Sequence, residues 1–318
     1  MPEKLLEVKG LKKYFKKGKK WLHAVDDVDF IVNKGETLGL VGESGCGKST
    51  AGRAILRLVE PTDGEVLFNG QDVVKFNKKE LKQFRQSASI VFQDPFASLN
   101  PRMTVSQIIE EPLIINKTYN NKQDRLKRVY EMMSTVGLAQ RLENTYPHEL
   151  DGGRRQRIGV ARALALNPQF IVLDEPVSAL DVSIQAQILN LMDELQKELG
   201  LTYVFVSHDL SVIKHVSTNI AVMYLGKIVE LSDYASVFTK PLHPYTQALL
   251  SAIPVPSLDV RRERILLEGD VPSPIDPPPG CRFYGRCFKR EDICKDVDPE
   301  FKEISPGRFC ACHLVNPE

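Results

Sequence analysis

The sequence has no apolar run approaching the ~18 residues that a membrane-spanning helix needs. Attachment to a membrane is therefore expected only through partners. Its opening "MPEKLLEVKG" lacks the apolar core of a secretory signal, so the chain is expected to remain in the cytosol. An excess of charge is missing too: 42 Lys and Arg against 41 Asp and Glu leave +1, which offers no global field for nucleic acid or an anionic bilayer. The local exception is seven lysines in the twelve residues from Lys9 to Lys20, expected to form a solvated face or loop. Cysteine is nearly absent before residue 280, where only Cys46 occurs, and no C-x2-C knuckle appears anywhere. Internal repeats are also lacking.

What is present suits a soluble α/β protein. The 318 residues are enough for one large domain, or one domain with a small appendage. Apolar residues at 42% and charged residues at 26% are ordinary values for a globular chain. Residues 1–75 alternate short apolar runs with glycine-bounded turns ("LLEVKG", "AVDDVDFIV", "ETLGLVG", "GEVLFNG") and one helical stretch, "KSTAGRAILRLV". From about 78 to 166 the pattern turns helical, interrupted by the strand "SIVF". Residues 169–231 alternate buried strands and helices, the pattern of a parallel sheet with crossovers. A proline-rich stretch over 254–280 reads as a linker or wrapping arm before a Cys-rich end. The expected division is a domain over 1–253, holding a helical part at about 78–166, and a C-terminal part over 254–318.

Two segments carry nucleotide chemistry. "GESGCGKST" runs from Gly42 through Glu43, Ser44, Gly45, Cys46, Gly47, Lys48 and Ser49 to Thr50. It follows a strand and opens a helix, the context of a phosphate loop. Glycines let backbone N–H groups curl around phosphates, Lys48 supplies a point charge, and Ser49 offers a hydroxyl to Mg²⁺. "FIVLDEP" is an apolar strand ending in two carboxylates. Asp174 suits the Mg²⁺ position, and Glu175 is placed to polarise an attacking water. An Asp-Glu pair at a strand end often only caps the next helix. About 125 residues beyond a phosphate loop it points to a nucleotide hydrolase.

Four further segments narrow the class: "VFQDP" with Gln93, "LDGGRRQR" from Leu150, "SALD" ending at Asp181, and "VSHD" with His208. In this ordered set the sequence resembles the ATP-binding cassette ATPases, most closely the second ATPase subunit of oligopeptide and dipeptide importers, from about Leu6 to the final cysteines. The resemblance implies a P-loop NTPase core with a mixed, mostly parallel sheet, an antiparallel β-subdomain, an inserted helical subdomain and a small Cys-rich tail. It implies a head-to-tail dimer in which each ATP lies between one subunit's phosphate loop and the other's signature segment. Asp151, Gly152, Gly153, Arg154 and Asp181 would then act in trans. Gln93 would sense the γ-phosphate and join the Mg²⁺ site, and His208 would steady the attacking water. Phe15, with Tyr14 as second choice, falls where the family stacks an aromatic on adenine, beside Val25. The implied partners are a second ATP-binding subunit in a heterodimer, two transmembrane permease subunits and an extracytoplasmic solute-binding protein, with no nucleic acid. The implied place is the cytoplasmic face of the cell membrane, held peripherally. Di- or oligopeptides are the leading solute, with an oligosaccharide or nickel complex as alternatives. A cassette ATPase acting on nucleic acid or the ribosome would need a coiled-coil insertion or two cassettes in one chain. One serving iron–sulfur assembly would leave the extension "HPYTQALLSAIP" unexplained.

Cys281, Cys287, Cys294 and Cys312 are spaced C-x5-C-x6-C-x17-C. In the reducing cytosol structural disulfides are not expected, which leaves metal ligands or inert thiols. Spacing does not separate zinc from a larger cluster. The neighbouring Arg282, Arg286, Lys289 and Arg290 are expected to lower the thiol pKa values. The family resemblance implies a [4Fe–4S] cluster on these four cysteines, with Cys46 a spacer in its loop and Cys310 a spare thiol. One departure from the family stands out: where most members read Leu-Ser-Gly-Gly-Gln, this chain reads Leu150, Asp151, Gly152, Gly153, Arg154. A carboxylate cannot donate to a γ-phosphate, so an asymmetric pair of ATP sites is expected, unless Asp151 is merely a helix cap.

Overall fold

The computed structural model describes residues 3–253 and 264–317. The first part of the proline-rich stretch thus lies outside the described residues. Strands β1 (Lys4–Lys17) and β2 (Lys20–Asn33) form a hairpin, followed by β3 (Thr37–Val41), helix α1 (Lys48–Ile55), β4 (Asp63–Phe68) and β5 (Gln71–Asp72). Next come α2 (Lys78–Ser87), β6 (Ala88–Val91), α3 (Pro95–Ser98), α4 (Val105–Asn116), α5 (Lys122–Thr135) and α6 (Gly152–Leu164). Then β7 (Phe170–Asp174), α7 (Val182–Leu199), β8 (Thr202–Ser207), α8 (Leu210–Val216), β9 (Asn219–Tyr224), β10 (Lys227–Asp233), α9 (Tyr234–Thr239) and α10 (Pro244–Ser251) follow. The C-terminal part holds α11 (Ile293–Asp296), β11 (Lys302–Ser305) and β12 (Arg308–Cys310).

Contacts divide the chain into two compact units, with a boundary inside β8 after Val204. The helical unit comprises residues 33–35 and 75–204. Its apolar stripe recurs at helical spacing: Ile108, Ile109 and Leu113 of α4, Val129, Met132 and Met133 of α5, and Ile158 and Ala161 of α6 are all buried. Thr104 and Gln107 form a capping box that starts α4. That helix continues through Pro112, and Asn116 donates to the Pro112 carbonyl over 2.9 Å. The N–H that proline lacks is a loss the buried face outweighs. Strand β6 pairs in parallel with β7, Ala88 opposite Phe170 and Val91 opposite Leu173.

The β-rich unit comprises residues 3–32, 36–74 and everything described after Val204. One sheet has the order β2-β1-β4-β5, with β1 antiparallel to β4, Leu6 opposite Phe68 and Val8 opposite Val66. The lysine run lies along β1 and the start of β2, with Lys19 in the turn between them, and most of it is exposed. The other sheet runs β11-β12-β10-β9-β3-β8 in this unit, and β8-β7-β6 in the helical one. Strands β3 and β9 are parallel, while β9, β10, β12 and β11 follow as antiparallel neighbours. The described end of the proline-rich arm is laid along β2, with His23 N–H donating to Pro274 O at 3.0 Å and Asp276 N–H to Trp21 O at 2.9 Å. Among the described residues no helix is long and apolar enough to cross a membrane.

Candidate functional site: a glycine-rich loop and a strand-end carboxylate

All five residues of β3 are buried, and at Val41 the chain turns sharply into the glycine loop that precedes α1. Gly42 has φ 154° and Gly47 φ 108°, both in the region that favours glycine. A Cβ on Gly42 would lie 2.1 Å from Met223 O, and one on Gly47 would lie 1.9 Å from Ala24 O. The loop is thereby pressed against β2 and β9, and no other residue type fits at either point. Lys48, 4% exposed, donates through Nζ to Gly42 O at 2.8 Å and Glu43 O at 3.0 Å. Cys46 is buried beside Lys48, and burial raises its thiol pKa. Ser44 and Gly45 are exposed at the crest, while Ser49 and Thr50 are half-buried in the first turn of α1. A concave run of backbone N–H groups around a buried ammonium is suited to a polyphosphate.

The loop is also held from the C-terminal part of the chain. Glu43 N–H donates to Tyr245 Oη over 2.9 Å. The Glu43 carboxylate accepts two bonds from Arg286, at 2.8 Å from Nη1 and 3.2 Å from Nη2. Sequence reasoning missed both partners. The signal was the segment His243-Pro244-Tyr245, taken only as an extension that argues against a role in iron–sulfur assembly. His243 caps α10, accepting from Tyr245 N–H at 3.1 Å, and Pro244 occupies the first turn. This aims Tyr245 into a cluster with Tyr224 and Phe283. Two backbone N–H groups, of Leu242 and His243, donate to the buried Glu230 carboxylate at 2.8 Å each.

Of the aromatics expected near adenine, Phe15 is 38% exposed, with Lys13 Nζ 4.8 Å from its ring centre. Tyr14 is committed elsewhere: it stacks on His23 at 4.1 Å and donates its hydroxyl to Asp26, which raises its pKa together with burial. Val25 is wholly buried in β2. His208 is exposed directly after β8, where Asp209 caps α8.

In the helical unit, Asp174 ends β7 at 1% exposure, and Glu175 follows with φ 48°. That left-handed backbone is uncommon for a non-glycine residue and turns the chain sharply at the strand's end. Gln93, soon after β6, donates through Nε2 to Glu175 Oε2 at 2.8 Å. The parallel pairing of β6 and β7 brings these two together. At the start of α6, Asp151 accepts from Arg154 N–H at 2.8 Å, and the Arg154 guanidinium lies 3.5 Å from its other oxygen. Asp151 is thus a helix cap, exposed, with a cation alongside. Gly152 and Gly153 form the first turn behind it, and a Cβ on Gly153 would lie 2.8 Å from Ile184. Asp181 is exposed at the N-terminus of α7 with no capping bond from its side chain.

In the tail the expected lowering of the thiol pKa values is corrected. Burial dominates and raises Cys281 to about 11, with Cys287 and Cys312 also raised. The basic residues point elsewhere: Arg282 to Asp26 and the Leu225 carbonyl, Arg286 to Glu43, and Lys289 to Gln247. Arg282 and Arg286 thereby fasten the tail to the rest of its unit, while Lys289 and Arg290 lower the Cys287 pKa by less than burial raises it. The Cys281 N–H donates to the Cys294 carbonyl, which joins two of the four cysteine segments. Among the described residues, no three His, Cys, Asp or Glu stand close enough to hold a single metal ion.

The family described as ABC transporter matches residues 25–178, and the oligopeptide/dipeptide transporter C-terminal region matches residues 229–294. Oligopeptide transport ATP-binding protein AppF of Bacillus subtilis is 54% identical over 99% of this chain and 98% of its own length. OppF of the same organism, another oligopeptide transport ATP-binding protein, is 54% identical over 98% of this chain and 97% of itself. A solved dimeric structure of the ATP-binding cassette MJ0796 bound to ADP and Pi superposes with a TM-score of 0.66 at 32% identity, covering 72% of this chain and 99% of that one. The fold is that of a P-loop ATPase cassette. The chain belongs to the ABC transporter family, in the branch whose ATP-binding subunits carry the oligopeptide/dipeptide transporter C-terminal region. It is an ATPase of that class.

Proposed function

We propose that this chain drives the import of di- or oligopeptides, as one ATPase of a heterodimer seated on two permease subunits and served by an extracytoplasmic binding protein. The observation that carries the reading is its likeness, over nearly its whole length, to oligopeptide transport ATP-binding proteins. Its place would be the cytoplasmic face of the membrane. The helical unit is the part we assign to the permeases, since α4 leaves Ile114 and Ile115 more than half exposed. The phosphate loop and Lys48 would bind the polyphosphate, Phe15 would stack on adenine, and Ser49, Gln93 and Asp174 would hold Mg²⁺. Glu175 would polarise water, with His208 as its helper, and Gly152, Gly153 and Asp181 would complete the partner's site. Deleting the gene should abolish ATP-dependent peptide uptake, and the cloned chain should restore it. Loss of uptake of an oligosaccharide or nickel complex, with peptide uptake intact, would overturn the solute assignment.

We further propose that Cys281, Cys287, Cys294 and Cys312 hold a [4Fe–4S] cluster. The reading rests on the family resemblance and on four cysteines spaced C-x5-C-x6-C-x17-C without a C-x2-C knuckle, a wide spacing that a cuboidal cluster accepts. Such a group would supply a covalent staple between segments already joined by the Cys281 N–H to Cys294 O bond of 2.8 Å.

A further inference from the structure

Glu43 is the acidic residue of the phosphate loop, and its position is chemically awkward. A carboxylate beside the place of a triphosphate opposes the charge it is meant to receive. Arg286 answers this with a two-pronged bond, at 2.8 and 3.2 Å, in which the guanidinium side chain is 10% exposed and the carboxylate 26%. Fork-to-fork geometry fixes direction as well as charge. The same residue's backbone N–H is held by Tyr245, whose ring packs on Phe283, three positions before Arg286. Two residues of the C-terminal region, Tyr245 and Arg286, thus converge on one residue of the loop. Arg282, four positions before Arg286, fastens the same segment to Asp26 and the Leu225 carbonyl.

We propose that Arg286 is a positioning residue for nucleotide binding: it neutralises Glu43 and holds the phosphate loop in shape, so the C-terminal tail sets the affinity for ATP. The proposal rests on reading Gly42–Thr50 as the phosphate loop, and it holds whatever the cysteines carry. Without Arg286 the Glu43 carboxylate is left unpaired and repels the incoming phosphates, and the loop loses one of its two ties. Removing the carboxylate as well removes the repulsion, so the two substitutions cannot be additive.

The test is equilibrium titration of the full-length chain with Mg²⁺ and a fluorescent ATP analogue. Arg286→Ala should raise Kd about tenfold, the size of an ordinary coupling between sites. Maximal ATPase activity of the assembled transporter should change little, so that the loss falls on KM rather than kcat. Adding Glu43→Gln should bring Kd back most of the way. Unchanged affinity in folded Arg286→Ala, or a double variant as weak as the single one, overturns the proposal. If Arg286→Ala does not fold, Arg286→Lys serves: it keeps the charge but loses the fork, and should weaken binding a few-fold in a way Glu43→Gln reverses. Wild-type affinity for Arg286→Lys would then overturn it. Lys48→Ala separates this from the underlying reading: if it too binds normally, the phosphate loop itself is misassigned.

Discussion

Gln93 Nε2 donates to Glu175 Oε2 across 2.8 Å, joining residues 82 positions apart that sit after two adjacent parallel strands. The role we propose for Glu175 can be tested without removing this contact, because the side-chain carbonyl of a glutamine in its place can still accept from Gln93.

Glu175→Gln should therefore leave ATP binding intact while reducing hydrolysis at this chain's site by about 10²–10⁴-fold, the usual contribution of a general base. The measurement is single-site turnover in an assembly whose partner ATPase is disabled. Near-normal turnover there would remove Glu175 from the mechanism.

The cysteines yield a metal prediction. Chain purified without oxygen should be brown and carry about four irons. Cys287→Ser should lose the colour, whereas Cys310→Ser should keep it, because Cys310 is a fully buried core residue of β12 packed with Ile304. Colourless anaerobic protein with one zinc per chain would decide against the cluster.

His243 makes stability depend on pH. Burial lowers its pKa from 6.5 to about 3, so the folded chain keeps the imidazole neutral where the unfolded chain would protonate it. Its contribution is complete above pH 6.5 and is lost as pH falls from there toward about 3, by at most about 1.4 kcal/mol per pH unit. Burial raises the pKa of Glu230, which works in the opposite sense, but that residue is common to both proteins compared. In urea titrations His243→Asn, which can still cap α10, should lose less stability than the native chain over that window. Parallel curves would show that His243 is not buried neutral.

In the dimer we propose, Asp151 bears on how the two ATP sites share the work. As a cap it preserves α6, yet its carboxylate occupies the positive helix end where a phosphate would otherwise bind. Arg154 alongside tempers that charge without turning the carboxylate into a donor. We expect the site built on this chain's phosphate loop to hydrolyse faster than the site that uses Asp151. Disabling each catalytic glutamate in turn should then give unequal losses, and Asp151→Ser should narrow the gap. Equal losses, with no effect of Asp151→Ser, would leave Asp151 as a cap alone.

Local chemistry made much of this legible in the sequence. Gly42 and Gly47 are required by backbone approaches that a strand–loop–helix pattern already implies, and the buried runs of β3 and β7 announce themselves by composition. The pairing of Gln93 with Glu175 was not legible as a contact, because it depends on which strands become neighbours. The same holds for Glu43 with Arg286, 243 residues apart. Charge near the cysteines misled for a related reason: adjacency in sequence put arginines beside the thiols, while tertiary contacts drew their side chains away and burial set the pKa direction.

The hairpin of β11 and β12 has a further consequence. By pairing with β10, strand β12 covers a backbone edge that would otherwise offer its N–H and C=O groups to any extended chain. The exposed edge is passed outward to β11, only four residues long and carrying Lys302 and Glu303. A short, charged terminal strand is a poor template for a foreign one. The cysteine-bearing tail, besides reaching the phosphate loop, thus guards the sheet against aggregation.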